Sequence, residues 1–431
     1  MRREWPMLKD KFVRASTLLF VASMVTNIFN YVFQLTMGRL LSTEDFGLMN
    51  SLFSLLLITS LPFMTIMTVL AKYVSTFTVE GNLGKIKGLF LKAYKNIFSM
   101  GLVLLFVFIC LSFLIKQFLK MDSVTPIVLL GIAVFTSLVL PINGAFLQGL
   151  QNFRPLSLIS GSLGPAKFVF SLILVLLGLR VNGVLWGLIL TNMAIFLMSY
   201  IPLRSIIDSA TVSVERIDDL YSYAFPVFLA YLCFGILTQV DLILVRHYFL
   251  PSEVGLYASA AVLGRAVMYL PASLILALFP MVAEAHARDQ NPKHLLVKAL
   301  AYTMLLAGTG TLLYILLPDL IIGILFSRKY AGAAPILGLY GLAMLPMGLL
   351  LILINYNLAR FKVRFVKYLF LIAFLQIILI VIFHQTLAAI LWIIFACGAI
   401  SMLAILIPHI LESQSLKSAI GNLIYKGQTS R

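Results

Sequence analysis

The sequence predicts an all-α polytopic membrane protein of about twelve transmembrane helices, in two six-helix lobes related by an axis along the membrane normal. Three observations predict this. First, 61% of the 431 residues are hydrophobic and 11% are charged, with a mean hydropathy of +1.04; soluble domains carry about 25% charged residues. Second, the apolar runs repeatedly reach the roughly 20 residues that a helix needs to cross a bilayer. They are continuous rather than alternating, which excludes a β-barrel. Third, the second half of the chain echoes the first at an offset of 208 residues.

Taken in order, the expected spans are 13–37, 47–78, 96–115, 124–150, 157–179, 183–203, 222–247, 255–285, 299–318, 333–359, 366–383 and 388–410. Arg2-Arg3 precedes the first run, which lacks a small-residue cleavage site and reads as a retained helix. Lys and Arg distribution sets the orientation. With the N-terminus inside, the inner segments hold 22 Lys/Arg and the outer ones 7, while Lys72, Lys167 and Arg265 lie within spans. Both termini are therefore expected in the cytoplasm, with the chain in the cytoplasmic (inner) membrane. The net charge of +16 follows from this bias and from attraction to anionic membrane lipids. No soluble basic face exists, so nucleic acid is not an expected partner.

The long polar connection around 204–220 divides the chain into an N-terminal lobe (1–205), a cytoplasmic linker (206–220) and a C-terminal lobe (221–431). The lobes match in detail. STEDFGLM (Ser42–Met49) is echoed by LPSEVGLY (Leu250–Tyr257), which sets Gly255 on Gly47. Leu61-Pro62 is echoed by Leu270-Pro271, and LKAY (Leu91–Tyr94) by KALAY (Lys298–Tyr302). Six spans per copy give both copies the same orientation, and two facing bundles imply a cleft near the midplane that opens to one side at a time. Pro62 and Pro271 interrupt long helices at matching points, as hinges would; Pro141, Pro165, Pro280 and Pro346 add further breaks.

Polar residues inside spans mark what would line such a cleft. Asn27, Asn30, Tyr31 and Gln34 fall on one face of the first helix, and Tyr231, Gly235, Thr238 and Asp241 on one face of the seventh. The first stripe reads equally as interhelical hydrogen bonding. A charge at a helix centre costs about 2.5–3.5 kcal/mol on insertion scales, so Lys167, Asp241 and Arg265 need a reason to be there. One reading is an Asp241–Arg265 ion pair that ties helices seven and eight together. The other is a hydrated cationic cavity, with Arg265 and Lys167 deep, Arg39 towards the outer face and Lys72 towards the inner face. Asp241 is the one acid at that depth, with Glu284 near an inner end. Such a cavity suits an anionic group, and the planar fork of arginine suits phosphate.

Cys110, Cys233 and Cys397 lie within spans without metal-type spacing, and the five histidines are scattered. The sequence holds no nucleotide-binding glycine loop and no HExxH, and its outer connections are too short to carry paired catalytic carboxylates. These features argue against an enzyme, including a membrane glycosyltransferase or polysaccharide polymerase. No metal site and no cofactor are expected.

Four stretches carry a resemblance to a known family: LSTEDFGLMNSL (Leu41–Leu52), AKYVS (Ala71–Ser75), LQGLQNFRPLS (Leu147–Ser157) and VDLILVR…EVGLYASA (Val240–Ala260). In this order the chain resembles the polysaccharide-biosynthesis (O-antigen-type) flippases of the multidrug/oligosaccharidyl-lipid/polysaccharide exporter superfamily. The resemblance implies a two-lobed fold of twelve helices that moves polyprenyl-diphosphate-linked oligosaccharides to the outer leaflet by alternating access. Pathway glycosyltransferases and a polymerase are the implied partners. In the related lipid II flippases, arginines of the first, second and eighth helices are thought to hold the diphosphate. Arg265 resembles the eighth-helix position, whereas Asn27, Asn30 and Gln34 occupy the first helix here and Lys72 sits low on the second. The diphosphate is expected on Arg265 and Lys167, and the sugars on the Asn/Gln/Tyr surface. Asp241 is either a counter-charge or the site of coupling to a proton or sodium ion. A cation-coupled multidrug exporter and a lipid II flippase are the alternatives. Exporters of cationic drugs want acidic cavities, and here bases outnumber acids within the spans.

Overall fold

The computed structural model describes the backbone of residues 4–60, 64–209, 220–270, 278, 281–282, 293–360 and 362–428; within these helices the side chains of 4–16, 64–66, 68, 205–209, 220–224 and 409–428 are not described. The described residues are helical, with short turns between. Lipid dictates this: no water reaches the hydrocarbon core, so every backbone N–H and C=O must be satisfied within its own segment.

The helices are α1 (Glu4–Leu40), α2 (Thr43–Ser60), α3 (Met64–Val79), α4 (Leu83–Cys110), α5 (Ser112–Phe118), α6 (Thr125–Gly149), α7 (Phe153–Leu174), α8 (Arg180–Ser209), α9 (Leu220–Tyr248), α10 (Pro251–Tyr269), α11 (Lys293–Leu316), α12 (Pro318–Leu325), α13 (Ala334–Ala359), α14 (Val366–Ile382) and α15 (Leu387–Gln428). A π-helical turn, Val175–Leu179, joins α7 to α8, and a 3-10 turn, Arg328–Ala333, precedes α13. The expected spans fall on these helices, the second on α2 and α3 and the third on α4 and α5; of the eighth, 255–285, α10 covers 255–269. Among the described residues, eight stretches are long and apolar enough to cross a membrane on their own, and one of them, Phe153–Arg204, covers two expected spans. Helices α1 and α15 run well beyond the expected limits of 13 and 410. A helix may continue into water on polar residues, whereas hydropathy reports only the part in lipid.

Helix ends are closed by local chemistry. Asn82 caps α4 by accepting from Lys85 N at 3.0 Å. The LQGLQN signature ends α6 in a Schellman turn: Asn152 N donates to Leu147 O (2.9 Å) and Gln151 N to Gln148 O (3.0 Å), with Gln151 left-handed at φ 55°. The same pattern ends α5 at Lys120 and α3 at Gly81.

The chain divides into two compact units. The first comprises Met1–Leu232, Leu242–Ser259 and Ile322–Gly332, and the second Cys233–Asp241, Ala260–Ile321 and Ala333–Arg431. In the first, α7 packs on α1 and α8, and α6 on α3, α4 and α8; in the second, α13 packs on α11 and α15, and α14 on α15. Pro62, Pro271, Pro280 and Glu284, and residues 210–219 of the expected linker, lie outside the described residues.

Candidate functional site

The second unit holds one polar cluster deep among apolar helices. Asp241 on α9 is fully buried. Its Oδ1 accepts from Arg265 Nη2 on α10 at 2.9 Å, and its Oδ2 accepts from Tyr340 Oη on α13 at 2.5 Å. The side chains of Asp241 and Arg265 are 1% and 12% exposed. The ion pair between helices seven and eight, one of the two readings the sequence left open, is thus present, and its third member comes from a helix that offered no polar stripe. Local packing permits the approach: a Cβ at Gly264 would lie 2.9 Å from Tyr340 Cγ, so only glycine fits beside that ring. Gln376 Nε2 donates to Leu237 O (3.0 Å), and Tyr314 Oη to Leu263 O (2.9 Å), which fixes α9 and α10 near the two charges. Thr238, on the same face as Asp241, turns its hydroxyl back to Phe234 O (2.8 Å).

In the first unit a charged residue also lies among apolar helices. Lys167 on α7 donates from Nζ to Asn30 Oδ1 on α1, and Nζ lies 4.6 Å from the centre of the Phe33 ring. These two neutral groups are its partners; among the described residues no carboxylate pairs with it. A hydrogen bond to a charged group contributes about 1.5–3 kcal/mol and a desolvated cation–π contact about 2 kcal/mol. Together they offset the roughly 3 kcal/mol cost of a lysine at such depth. They stabilise the ammonium without neutralising its field, so the site keeps a net positive potential. Thr26 Oγ1, which donates to Ser160 O at 2.5 Å, and the edge-on pair Phe29–Phe168 (5.9 Å) hold α1 against α7 around it.

The remaining expected site residues are dispersed. Asn27 and Tyr31 are exposed on α1, the Oε1 of Gln34 is buried without a hydrogen-bond partner, and Lys72 is exposed on α3. Arg39 is engaged at one end of the first unit. Its Nε donates to Phe326 O (3.0 Å) and its Nη2 to Ile324 O (2.7 Å). In return, Lys329 Nζ donates to Arg39 O (3.1 Å) and Leu41 O (2.6 Å), and Tyr330 Oη to Gly38 O (2.9 Å). Each helix C-terminus is thereby capped by a cation from the other. Nearby, Arg246 Nε donates to Leu119 O (2.9 Å), and His247 stacks on Phe118 at 4.1 Å. Gly47 meets Gly255 backbone to backbone: a Cβ at Gly47 would lie 2.8 Å from Gly255 N.

Sequence reasoning missed Tyr340, Lys329 and Tyr330. Tyr340 lies 99 residues from Asp241, and Lys329 lies 290 residues from Arg39, so no local spacing announces either pairing. Among the described residues, no group of three or more His, Cys, Asp or Glu is placed to hold a metal ion.

A bundle of helices long and apolar enough to cross a membrane, with basic residues set among them, is the architecture of a polytopic membrane protein. The family model for polysaccharide biosynthesis proteins matches residues 12–286, and the chain belongs to that family. The fold is that of the multidrug/oligosaccharidyl-lipid/polysaccharide (MOP) superfamily. The chain is similar to an inward-facing multidrug resistance MATE transporter of that superfamily (TM-score 0.75, 11% identity, 93% of this chain and 98% of that one). It is also similar to the lipid II flippase MurJ in an inward closed conformation (TM-score 0.67, 15% identity, 92% and 87%). A third likeness is to a MOP transporter from Pyrococcus furiosus described as having a binding pocket of reverse polarity (TM-score 0.65, 13% identity, 94% and 96%). No protein of curated function matches the sequence.

Proposed function

We propose that the protein is a flippase that carries a polyprenyl-diphosphate-linked oligosaccharide from the inner to the outer leaflet of the cytoplasmic membrane by alternating access. The observation that carries this reading is Lys167, an interior cation whose partners, Asn30 and the Phe33 ring, are both neutral. An uncompensated positive charge inside a membrane protein calls for an anionic ligand, and a lipid-linked diphosphate brings one to that depth. Family membership supports the polysaccharide pathway. In this reading Lys167 is the phosphate ligand of the first unit, and Arg265, in exchange for Asp241, that of the second. The exposed Asn27 and Tyr31, with Gln34, offer hydrogen bonds to sugar hydroxyls, and Lys72 offers further positive charge. Glycosyltransferases would supply the substrate and a polymerase would consume it. The surplus of Lys and Arg in the expected inner connections, 22 against 7, supports cytoplasmic termini. A multidrug exporter of cationic drugs fits this charge balance poorly.

Reconstitution with a fluorescent polyprenyl-diphosphate sugar, with arrival in the outer leaflet read by dithionite quenching, tests the proposal. Lys167→Gln should cut translocation at least tenfold, and Lys167→Arg should retain part of it. Full translocation by Lys167→Gln would refute the assignment.

A further inference from the structure

We infer that Tyr340 is a positioning residue that sets how readily Arg265 releases Asp241 to bind an anion, an inference that rests on the proposed role of Arg265. The geometry begins with the carboxylate. Its two oxygens are shared between two helices: Oδ1 answers Arg265 at 2.9 Å and Oδ2 answers Tyr340 at 2.5 Å. The second distance is that of a charge-assisted O–H···O⁻ bond, among the stronger hydrogen bonds that proteins make. Two donors on one carboxylate compete. The charge that Tyr340 draws off is charge that Arg265 no longer has to answer.

The arrangement has a consequence for binding. An incoming phosphate must replace Asp241 on the guanidinium, and a fully buried carboxylate stripped of its cation is costly unless another donor remains. Tyr340 is that donor. It comes from α13, whereas the arginine comes from α10, so Arg265 can turn towards a ligand while Asp241 stays held. The tyrosine is itself fixed: it is fully buried, and its ring lies against Gly264, one residue before Arg265. A phenylalanine at 340 keeps the ring and the packing and removes the hydroxyl, which bonds Arg265 as well as Asp241. The carboxylate then draws harder on Arg265, and the internal pair becomes a stronger competitor for the site.

The test is binding of inorganic diphosphate to the purified full-length protein by calorimetry, in four single and two double variants. Tyr340→Phe should weaken binding about tenfold, on the order of one charged hydrogen bond. Asp241→Asn, which removes the competitor, should tighten it. In the Asp241→Asn background, Tyr340→Phe should cost much less, because the tyrosine acts mainly through the carboxylate and only its smaller bond to Arg265 is left to lose. Lys167→Gln should weaken binding whether or not Tyr340 is replaced. An equal loss from Tyr340→Phe in both backgrounds would show a merely structural role and overturn the inference. So would unchanged affinity in Tyr340→Phe, or no gain in Asp241→Asn, a measurement that stands even if the tyrosine variant folds poorly. Arg265→Ala separates the two levels. Diphosphate binding unaltered in Arg265→Ala would remove Arg265 from the proposed site and this inference with it. Loss in Arg265→Ala beside an unaltered Tyr340→Phe would sink the inference alone.

Discussion

At the scale of single residues, the same position serves a cation in each half of the chain, by different chemistry. At the offset of 208, Phe33 corresponds to Asp241. Phe33 presents its ring face to Lys167, and Asp241 presents a carboxylate to Arg265. The first solution leaves the charge available and the second cancels it. The two sites should therefore respond differently to substitution. Asp241→Ala leaves a buried guanidinium without its counter-charge, which costs about 3–5 kcal/mol where a buried pair is broken from one side. Lys167→Met removes a charge that had no counter-ion and leaves behind only neutral groups, so stability should hold or rise slightly. Thermal unfolding in detergent, followed by intrinsic fluorescence, checks the contrast: Asp241→Ala should melt several degrees below the parent and Lys167→Met should not. Gly264→Ala belongs with the first class, because its methyl group would push Tyr340 off Asp241. Overpacking of this kind costs about 1–3 kcal/mol.

At the scale of elements, the end of the first unit where α1 turns into α2 is closed by contacts between distant segments. Three kinds are present. Cations cap carbonyls at helix C-termini, where the backbone dipole concentrates partial negative charge (Arg39 on Ile324 and Phe326, Lys329 on Arg39 and Leu41, Arg246 on Leu119). Rings close over them, with Phe46, Phe326 and Tyr330 within 5.3–5.6 Å of one another. Beneath lies the backbone contact of Gly47 with Gly255. Those two glycines are equivalent in the sequence repeat, so the same small residue serves both sides of the contact. The echo between Ser42–Met49 and Leu250–Tyr257 is in this sense a contact written twice in the sequence. The proposed alternating access requires such a closure to open, and its polar part is made of exchangeable hydrogen bonds rather than a buried apolar core. The double variant Arg39→Ala/Lys329→Ala should loosen it without unfolding the helices. Amide exchange over 37–47 and 322–332 should quicken by about tenfold or more, given about 1 kcal/mol per capping bond lost, while α6 and α13 keep their protection. Unchanged exchange at those segments would show that rings and glycines hold the end alone.

At the scale of the whole molecule, legibility followed the range of the interaction that carried each feature. Helix positions were readable because an apolar run of about 20 residues is a local property, and the described helices fall on the expected spans. The Asp241–Arg265 pair was readable as one of two options, since 24 residues and a single turn separate its members. Tyr340 and the caps on α1 were not, because nothing near them in sequence names a partner 99 to 290 residues away. The far ends of α1 and α15 escaped because polar helix leaves no hydropathy signal. One global property, orientation, rests on charge alone, and its prediction can be worked out without any contact. The Lys85–Lys95 segment carries four cations and the 360–367 segment four more, while the connection at Lys116–Lys120 carries two and that at Arg180 one. Retaining the denser clusters in the cytoplasm is the rule for short loops. In a background with Cys110, Cys233 and Cys397 replaced, single cysteines at Lys87 and Lys362 should resist a membrane-impermeant maleimide in intact cells and react after permeabilisation. Cysteines at Lys120 and Arg180, both outside the helical runs or at their ends, should react in intact cells. The reverse pattern would place the Arg39–Lys329 closure on the cytoplasmic side and invert the direction of every step proposed for transport.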